Sequence, residues 1–145
     1  MFYFAYGTNM SRADMAQRAP GARAAGIGRL AGHRLVVTEA GYLTLCRAPA
    51  GVVHGVLWRL TPRDLARLDA YEGVGRGGYR RAAKQVVTAG GARVAIVYHG
   101  GRTGAGARLL RRPFEEAVLA SAISWRLPAT ALAGLRRLAR NGFRG

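Results

Sequence analysis

Short segments of strand-like composition, separated by glycine-containing turns, constrain the fold of this chain most. Phe2–Tyr6 alternates aromatic and small residues, and Val52–Leu60 is rich in β-branched and aromatic residues. Four more segments are predicted as strands: Leu35–Thr38, Tyr42–Cys46, Tyr79–Thr88 and Arg93–Tyr98. Since most connections between them are short, we expect a largely antiparallel or mixed sheet. The glycine-rich residues 22–31 are expected to be extended.

Helix-start signals interrupt these segments. Ser11 is predicted to cap a short helix that runs to about Arg18, and Thr61 to cap one that ends before Gly73. Two further helices are predicted to start at prolines: Pro113 to about Arg126, and Pro128 to about Arg140. The resulting fold class is α+β, in one domain over residues 1–145, with a curved sheet that nearly closes into a barrel and is flanked by helices.

The charge of the chain is strongly positive. It has 23 Lys and Arg residues against 7 Asp and Glu residues, a net charge of +16. Such a balance would suit a nucleic-acid binder. However, Lys84 is the only lysine and the arginines are dispersed, and arginine, glycine and alanine all use GC-rich codons. We therefore expect no specific nucleic-acid partner, although the positive field would attract anionic substrates.

Location is predicted from features that the sequence lacks. No run of about 18 apolar residues occurs, so we expect no membrane-spanning helix. Met1–Tyr6 lacks the basic start and the long apolar core of a secretory signal. Cys46 is the only cysteine, which excludes a disulfide within the chain, and its place in a strand segment favours a buried structural thiol. These features predict a cytoplasmic protein.

Several familiar motifs fail on their context. The spacing of Gly26–Ala31 fits a dinucleotide fingerprint, but a strand segment follows it where a helix is required. Gly100–Gly106 lacks the Gly-Lys-Ser/Thr ending of a phosphate loop and is predicted to be a surface loop. No nucleophile elbow is present. The histidines, His33, His54 and His99, are far apart and have no metal-like spacing, and His54 is expected in the core or on a sheet face.

The acidic residues are few, and most have a structural explanation. Asp14 and Asp64 fit helix caps, Asp69 lies within a predicted helix, and Glu115 and Glu116 favour a helix start. Glu39 sits near a turn. Glu72 differs, because it directly follows an apolar helix and precedes a glycine-rich loop. Taken alone, Glu72 is still better explained as a surface glutamate at a helix end.

A second candidate is the turn at residues 6–10, where a strand runs into Gly7, Thr8 and Asn9 before a helix cap. Such a turn can direct several backbone N–H groups into one space and so bind an anion. Taken alone, this turn is also better explained as an ordinary strand-to-helix connection.

Both candidates lie in motifs that resemble the γ-glutamyl cyclotransferase family. Phe4–Met10 (FAYGTNM) is similar to the family's Tyr-Gly-Ser-Asn-Leu loop, with Thr8 in place of the usual serine and Met10 in place of leucine. Leu68–Gly73 (LDAYEG), followed by Gly78-Tyr79, is similar to its Leu-Asp-x-x-Glu-Gly segment. The C-terminal part, through Asn141–Gly145, also resembles the family, so that the similarity covers nearly the whole chain.

The resemblance implies a small mixed-sheet fold with a barrel-like centre and a lyase that forms 5-oxoproline from γ-glutamyl amino acids or amides. It implies a catalytic glutamate at Glu72. The residues implied to bind the substrate are Tyr6, Gly7, Thr8, Asn9, Met10, Tyr79 and Tyr98. Because the substrate's own amine is the nucleophile, no metal and no cofactor are expected, only a small-molecule partner, in a monomer or homodimer.

Two alternatives stay open at this point. One is a non-catalytic or nucleic-acid-associated protein on the same scaffold, which the charge of +16 suggests. The other is a specialised cyclotransferase that removes a γ-glutamyl group from a biosynthetic intermediate.

Overall fold

The computed structural model describes residues 1–103 and 109–141. Within these ranges the strands are β1 (Phe2–Ala5), β2 (Arg23–Val37), β3 (Leu43–Arg59), β4 (Arg80–Thr88) and β5 (Gly91–His99). The helices are α1 (Arg12–Arg18), α2 (Pro62–Glu72), α3 (Arg112–Ser124) and α4 (Ala129–Asn141), with a short 3-10 helix at Thr8–Met10. The predictions for residues 104–106 of the glycine-rich loop and for residues 142–145 lie outside the described residues.

The strands form a closed barrel in the order β1-β3-β2-β4-β5. Neighbouring strands pair antiparallel except for β1 and β5, which pair in parallel through Phe2 with Ala95 and Tyr3 with Ile96. The predicted α+β class with a mixed, barrel-like sheet is therefore confirmed. Closure places β1 between β3 and β5. The end of β1 therefore lies beside two strands that come later in the chain.

Two strands are longer than the sequence predicted. β2 runs unbroken for 15 residues and β3 for 17, where the composition had suggested shorter pieces. In β2 the pairing shifts register next to Gly26 and Gly32, whose φ angles are +101° and +74°. Glycine reaches this left-handed region without strain, so that β2 can bend through bulges and continue around the barrel.

The core fills the barrel and extends beneath the helices. Phe4, Val56, Leu57 and Val97 are fully buried within the sheet. Leu68 of α2 and residues of the other helices join them in one cluster of buried apolar side chains. Burial of this apolar surface is the main stabilising contribution, and it seats the helices on the sheet.

Most of the predicted helix ends are confirmed. The Thr61 hydroxyl accepts from the Asp64 N–H at 3.2 Å, and Asp64 accepts from the Thr61 N–H at 3.0 Å, as a capping box requires. The helix predicted to run from Pro113 to Arg126 instead spans Arg112–Ser124, because Trp125 serves as its C-cap and Arg126 takes a positive φ of 56°. None of the helices in the described ranges is long and apolar enough to cross a membrane.

Candidate active site

Glu72 is the last residue of α2, and the turn that follows fixes its position. The Gly73 N–H donates to the Ala70 carbonyl at 3.2 Å, and the Val74 N–H donates to the Asp69 carbonyl at 3.0 Å. These two bonds form a Schellman motif, for which Gly73 adopts a left-handed φ of 70°. The predicted helix end before Gly73 is confirmed, and the glutamate backbone is held by a capped helix.

The chain then folds back against the backbone of Glu72. The Tyr79 N–H donates to the Glu72 carbonyl at 2.9 Å, and the Gly78 N–H donates to the Gly73 carbonyl at 3.1 Å. A Cβ atom on Gly78 would lie 2.3 Å from the Glu72 carbonyl oxygen, so only glycine fits there. This close approach joins Glu72 to the start of β4 and brings Tyr79 beside it.

The second candidate segment leads from β1 into the 3-10 helix. The Met10 N–H donates to the Gly7 carbonyl at 3.1 Å, and the Met10 carbonyl accepts from the Trp125 indole at 2.7 Å. Both bonds anchor the end of the segment. The N–H groups at Gly7, Thr8 and Asn9 open this helix, where donors have no partner within the helix itself.

Arg18, at the end of α1, ties this segment to the helices. Its guanidinium donates to the Thr8 hydroxyl at 3.1 Å and to the Asn9 side-chain oxygen at 2.6 Å. The same guanidinium lies 4.3 Å from the centre of the Tyr71 ring, in a cation–π contact. Arg18 thus links the loop to the residue that precedes Glu72.

These elements enclose a cavity of about 480 Å³. Its lining comes from β1 and the loop after it, from α1, from the end of α2, from the segments entering β3 and β4, and from β5 and α3. The lining residues are Tyr3, Tyr6, Gly7, Thr8, Asn9, Arg18, Tyr42, Leu43, Tyr71, Glu72, Gly78, Tyr79, Tyr98 and Phe114. The cavity is large enough for a dipeptide-sized ligand.

The electrostatics of the cavity centre on Glu72, which is the only carboxylate among the described residues that line it. Burial raises the pKa of Glu72 from 4.5 to about 7, and the nearby positive charge of Arg18 opposes that rise. A carboxyl with such a pKa can take up and release a proton near neutral pH, as a general acid/base must. Burial, with the Glu72 charge as a further cause, also raises the pKa of Tyr79 to about 12.

Three of the tyrosines that line the cavity donate hydrogen bonds to protein groups. Tyr6 donates to the Tyr98 carbonyl, Tyr79 donates to the Leu43 carbonyl at 2.7 Å, and Tyr98 donates to Asp69 at 2.6 Å. Burial and the bond to Asp69 raise the pKa of Tyr98 well above its usual value. These tyrosines therefore stay neutral and form fixed walls of the cavity.

A second cavity, of about 470 Å³, lies between β2, β3 and α4. It is lined by basic and apolar residues, among them Arg34, His54, Arg137 and Leu135. No carboxylate belongs to its described lining, and burial lowers the pKa of His54 with further help from Arg29. We therefore assign the candidate active site to the cavity that contains Glu72.

Most of the residues predicted for the site line this one cavity: Tyr6, Gly7, Thr8, Asn9, Glu72, Tyr79 and Tyr98. Met10 is different, because its side chain is fully buried in the core. Cys46 and His54 lie half-buried on β3. Cys46 is less buried than the sequence suggested, whereas His54 lies on the sheet as expected.

The lining residues that sequence analysis did not predict are Tyr3, Arg18, Tyr42, Leu43, Tyr71, Gly78 and Phe114. Sequence analysis also did not predict the partners of Asp69, which accepts a hydrogen bond from Tyr98 and pairs with Arg81 at 3.4 Å. The position next to Glu72 could have indicated Tyr71. Among the described residues, no group of three or more His, Cys, Asp and Glu side chains is arranged to hold a metal ion.

Known structures share this fold. One named gamma-glutamyl cyclotransferase superposes with a TM-score of 0.84 at 23% sequence identity, over 99% of this chain and 90% of that one. An uncharacterized protein from Homo sapiens superposes with a TM-score of 0.83 at 24% identity, over 99% and 90% of the chains. YkqA from Bacillus subtilis gives 0.83 at 22% identity, over all of this chain and 56% of that one.

Sequence comparison identifies the family. The model of the family "Gamma-glutamyl cyclotransferase, AIG2-like" matches residues 3–116, and the chain belongs to this family. The matched range contains the loop after β1, Glu72, and all the other residues that line the candidate site. A comparison with curated protein sequences gives no significant match.

Proposed function

We propose that the chain is a γ-glutamyl cyclotransferase that converts γ-glutamyl amino acids or related amides into 5-oxoproline and a free amine, with Glu72 as general acid/base. The proposal rests on the Glu72 carboxyl, which has a pKa of about 7 and lines the same cavity as the loop at residues 7–9. Membership of the family supports the reaction class.

The reaction needs no nucleophile from the protein. The α-amine of the substrate attacks its own γ-carbonyl carbon, a carbon–nitrogen bond closes the five-membered ring, and the bond to the leaving amine breaks. Holding the substrate folded gives such a ring closure effective molarities that can reach roughly 10⁵ M or more. The fixed walls of Tyr6, Tyr79 and Tyr98 suit this task, since their hydroxyls are already bonded.

Proton transfer is the part that requires a side chain. In the proposed cycle the ionised Glu72 accepts a proton from the α-ammonium group and later donates it to the departing nitrogen, so that the enzyme returns to its starting state. The ring nitrogen then loses its second surplus proton to the released amine, which leaves as an ammonium ion. The N–H groups of residues 7–9 would bind either the α-carboxylate or the oxygen that becomes negative in the transition state. Arg18 keeps that loop in place through Thr8 and Asn9.

The test is 5-oxoproline release from a panel of γ-glutamyl amides by the parent protein and by Glu72→Gln. The substitution preserves the shape of the side chain but cannot shuttle a proton, so kcat should fall by roughly 10²–10⁴-fold or more. Release by Glu72→Gln at a rate near that of the parent would exclude Glu72 as the acid/base group.

Glu116→Gln is the matched control. Glu116 lies on α3 with 71% of its side chain exposed and pairs only loosely with Arg112, at 3.8 Å. The same loss of one negative charge should leave turnover unchanged there. Circular dichroism of both variants separates a chemical defect from a folding defect.

A further inference from the structure

The cavity that contains Glu72 has a buried end and an exposed rim. Tyr3, Asn9 and Tyr98 at the buried end are each less than 5% exposed. At the rim, Tyr42 is 41% exposed and Tyr71 is 52% exposed. A substrate that places its glutamyl part against the loop and Glu72 must therefore leave its other part at the rim.

One side of this rim is an aromatic wall. The rings of Tyr42 and Phe114 meet edge to face, with centroids 5.2 Å apart and planes at 83°. Phe114 also packs against the loop, since a Cβ atom on Gly7 would lie 3.7 Å from the tip of its ring. Tyr42 precedes β3 and Phe114 belongs to α3, so that two separate elements hold the wall in place.

Two arginines lie beside the exposed rings of the rim, Arg18 in the cavity lining and Arg111 outside it. The Arg111 guanidinium lies 5.5 Å from the centre of the Tyr42 ring, and its Nε–H donates to the Ala40 carbonyl at 2.8 Å. Arg18 lies over the exposed ring of Tyr71 at 4.3 Å and pairs with Asp14 at 3.8 Å. No carboxylate other than Glu72 belongs to the described lining. The rim therefore favours apolar and anionic groups over cationic groups.

From this arrangement we propose that the rim is the subsite for the leaving amine, and that it selects an α-amino acid with an aromatic side chain. The inference rests on the proposed function. The aromatic side chain packs on Tyr42 and Phe114, because aromatic rings prefer edge-to-face and offset contacts. The carboxylate of the leaving amino acid faces Arg111 and Arg18. Amides whose leaving amine carries a second ammonium group are poor substrates.

The experiment compares kcat/KM for three substrates: γ-glutamylphenylalanine, γ-glutamylalanine and γ-glutamylputrescine. One apolar group in a well-formed pocket discriminates by roughly 10–200-fold, so phenylalanine should exceed alanine by at least roughly tenfold. The putrescine amide should fall at least roughly tenfold below the alanine amide, because its free ammonium group would gain no carboxylate partner at the rim and would be repelled by Arg18.

Substitutions at the wall assign the preference to its residues. Tyr42→Ala and Phe114→Leu should each reduce the ratio of phenylalanine to alanine to roughly threefold or less. Val94→Ala is the control, because Val94 is 69% exposed on β5 and lies outside the described cavity lining, and it should keep the parent ratio. Equal kcat/KM for phenylalanine and alanine, or a ratio that survives both wall substitutions, would overturn the inference.

Binding to Glu72→Gln separates this inference from the proposed function. Calorimetry on this variant measures the affinities for the phenylalanine and alanine substrates without turnover. A preference for phenylalanine in binding, with no 5-oxoproline from the parent, would reject the proposed reaction and keep the subsite. Turnover of all three amides at similar efficiency, with equal affinities, would keep the reaction and reject the subsite.

Discussion

At the scale of the residue, the charge of Glu72 destabilises the fold, whereas its raised pKa suits acid/base chemistry. A carboxylate at the end of α2 opposes the helix dipole, and burial raises its pKa from 4.5 to about 7. Capping explains Asp64, whose pKa is lowered by its bonds from Thr61 and Gly21 although burial opposes that shift. Asp64 and Glu72, near opposite ends of α2, thus have opposite environments, since the pKa of Asp64 is lowered and that of Glu72 is raised.

This difference predicts a stability effect of Glu72→Gln that depends on pH. The raised pKa means that the folded chain holds the proton more tightly than the unfolded chain. The stabilisation from this group is complete below about pH 4.5 and is lost as the pH rises through about 7. Above about pH 8, the variant should therefore exceed the parent in unfolding free energy by about 1–3 kcal/mol.

Urea denaturation at about pH 5 and about pH 8.5 measures the effect. The gain should shrink toward the lower pH, since the parent carboxyl is then neutral. A variant that is less stable than the parent at the higher pH would mean that the Glu72 charge is compensated by partners, and that its pKa is not raised.

At the scale of the element, the site depends on how α1 and the turn after α2 are attached to the barrel. α1 has seven residues and contributes one side chain to the cavity, Arg18. The turn at residues 73–78 supplies no ionisable side chain to the described cavity lining. Its hydrogen bonds fix the position of Glu72 at the end of α2. α1 positions the loop after β1 through Arg18, and the turn positions Glu72.

Arg18→Gln should affect both the loop and the acid/base group. Loss of its positive charge removes the interaction that lowers the pKa of Glu72, so that the fall of kcat/KM on the acid side moves from near pH 7 to higher pH. Loss of the bonds to Thr8 and Asn9 should raise KM as well. Arg12→Gln is the control on the same helix, since Arg12 instead covers the ring of Trp125 at 3.7 Å. Identical pH profiles for the two variants would contradict this role.

Gly78→Ala tests the turn after α2. The new Cβ would meet the Glu72 carbonyl at 2.3 Å and the Gly73 carbonyl at 2.7 Å, and these backbone atoms cannot move aside without shifting Glu72. We expect a loss of about 1–3 kcal/mol in stability and a larger proportional loss in kcat. Gly90→Ala should be close to neutral, because its Cβ would meet only flexible side-chain atoms of Arg93 and Thr88. Full activity of Gly78→Ala would show that Glu72 does not need this turn.

Prediction from sequence succeeded where a single residue determines local structure. Ser11 accepts from the Asp14 N–H and Thr61 accepts from the Asp64 N–H, so both predicted caps are confirmed. It failed where structure depends on distant partners. Gly51 lies against the His33 carbonyl with no room for a Cβ, and such a close approach between β2 and β3 leaves no periodic pattern in the sequence. The same reason hides Arg18, whose partners lie 9 and 10 residues away on another element.

At the scale of the whole molecule, the positive charge acts on whatever approaches the site. A γ-glutamyl amino acid carries two carboxylates and one ammonium group, so a chain of charge +16 attracts it over several ångströms. We expect kcat/KM to fall by roughly 2–5-fold between about 20 mM and 300 mM salt, as screening shortens the range of the field. A neutral amide of the same shape should show no such dependence.

The charge of +16 also calls for a test of the nucleic-acid alternative. Gel-shift titration with duplex DNA and RNA at about 150 mM salt should show only weak, sequence-independent binding, with Kd above roughly 10⁻⁶ M. Nanomolar binding at that salt concentration, together with no 5-oxoproline release, would favour the nucleic-acid alternative. Persistence of both activities would assign two functions to the same chain.

The parallel pairing of β1 with β5 has a consequence during synthesis. Among the described strands β1 is synthesised before its two neighbours, β3 and β5, and the Tyr6 hydroxyl reaches its acceptor across 92 positions of sequence. Until β5 has emerged, β1 presents an unpaired edge, and contacts of such long range are slow to form. A nascent chain that ends before β5 therefore lacks both the strand that closes the barrel and Tyr98 of the candidate site, and its exposed edge is open to aggregation or chaperone binding.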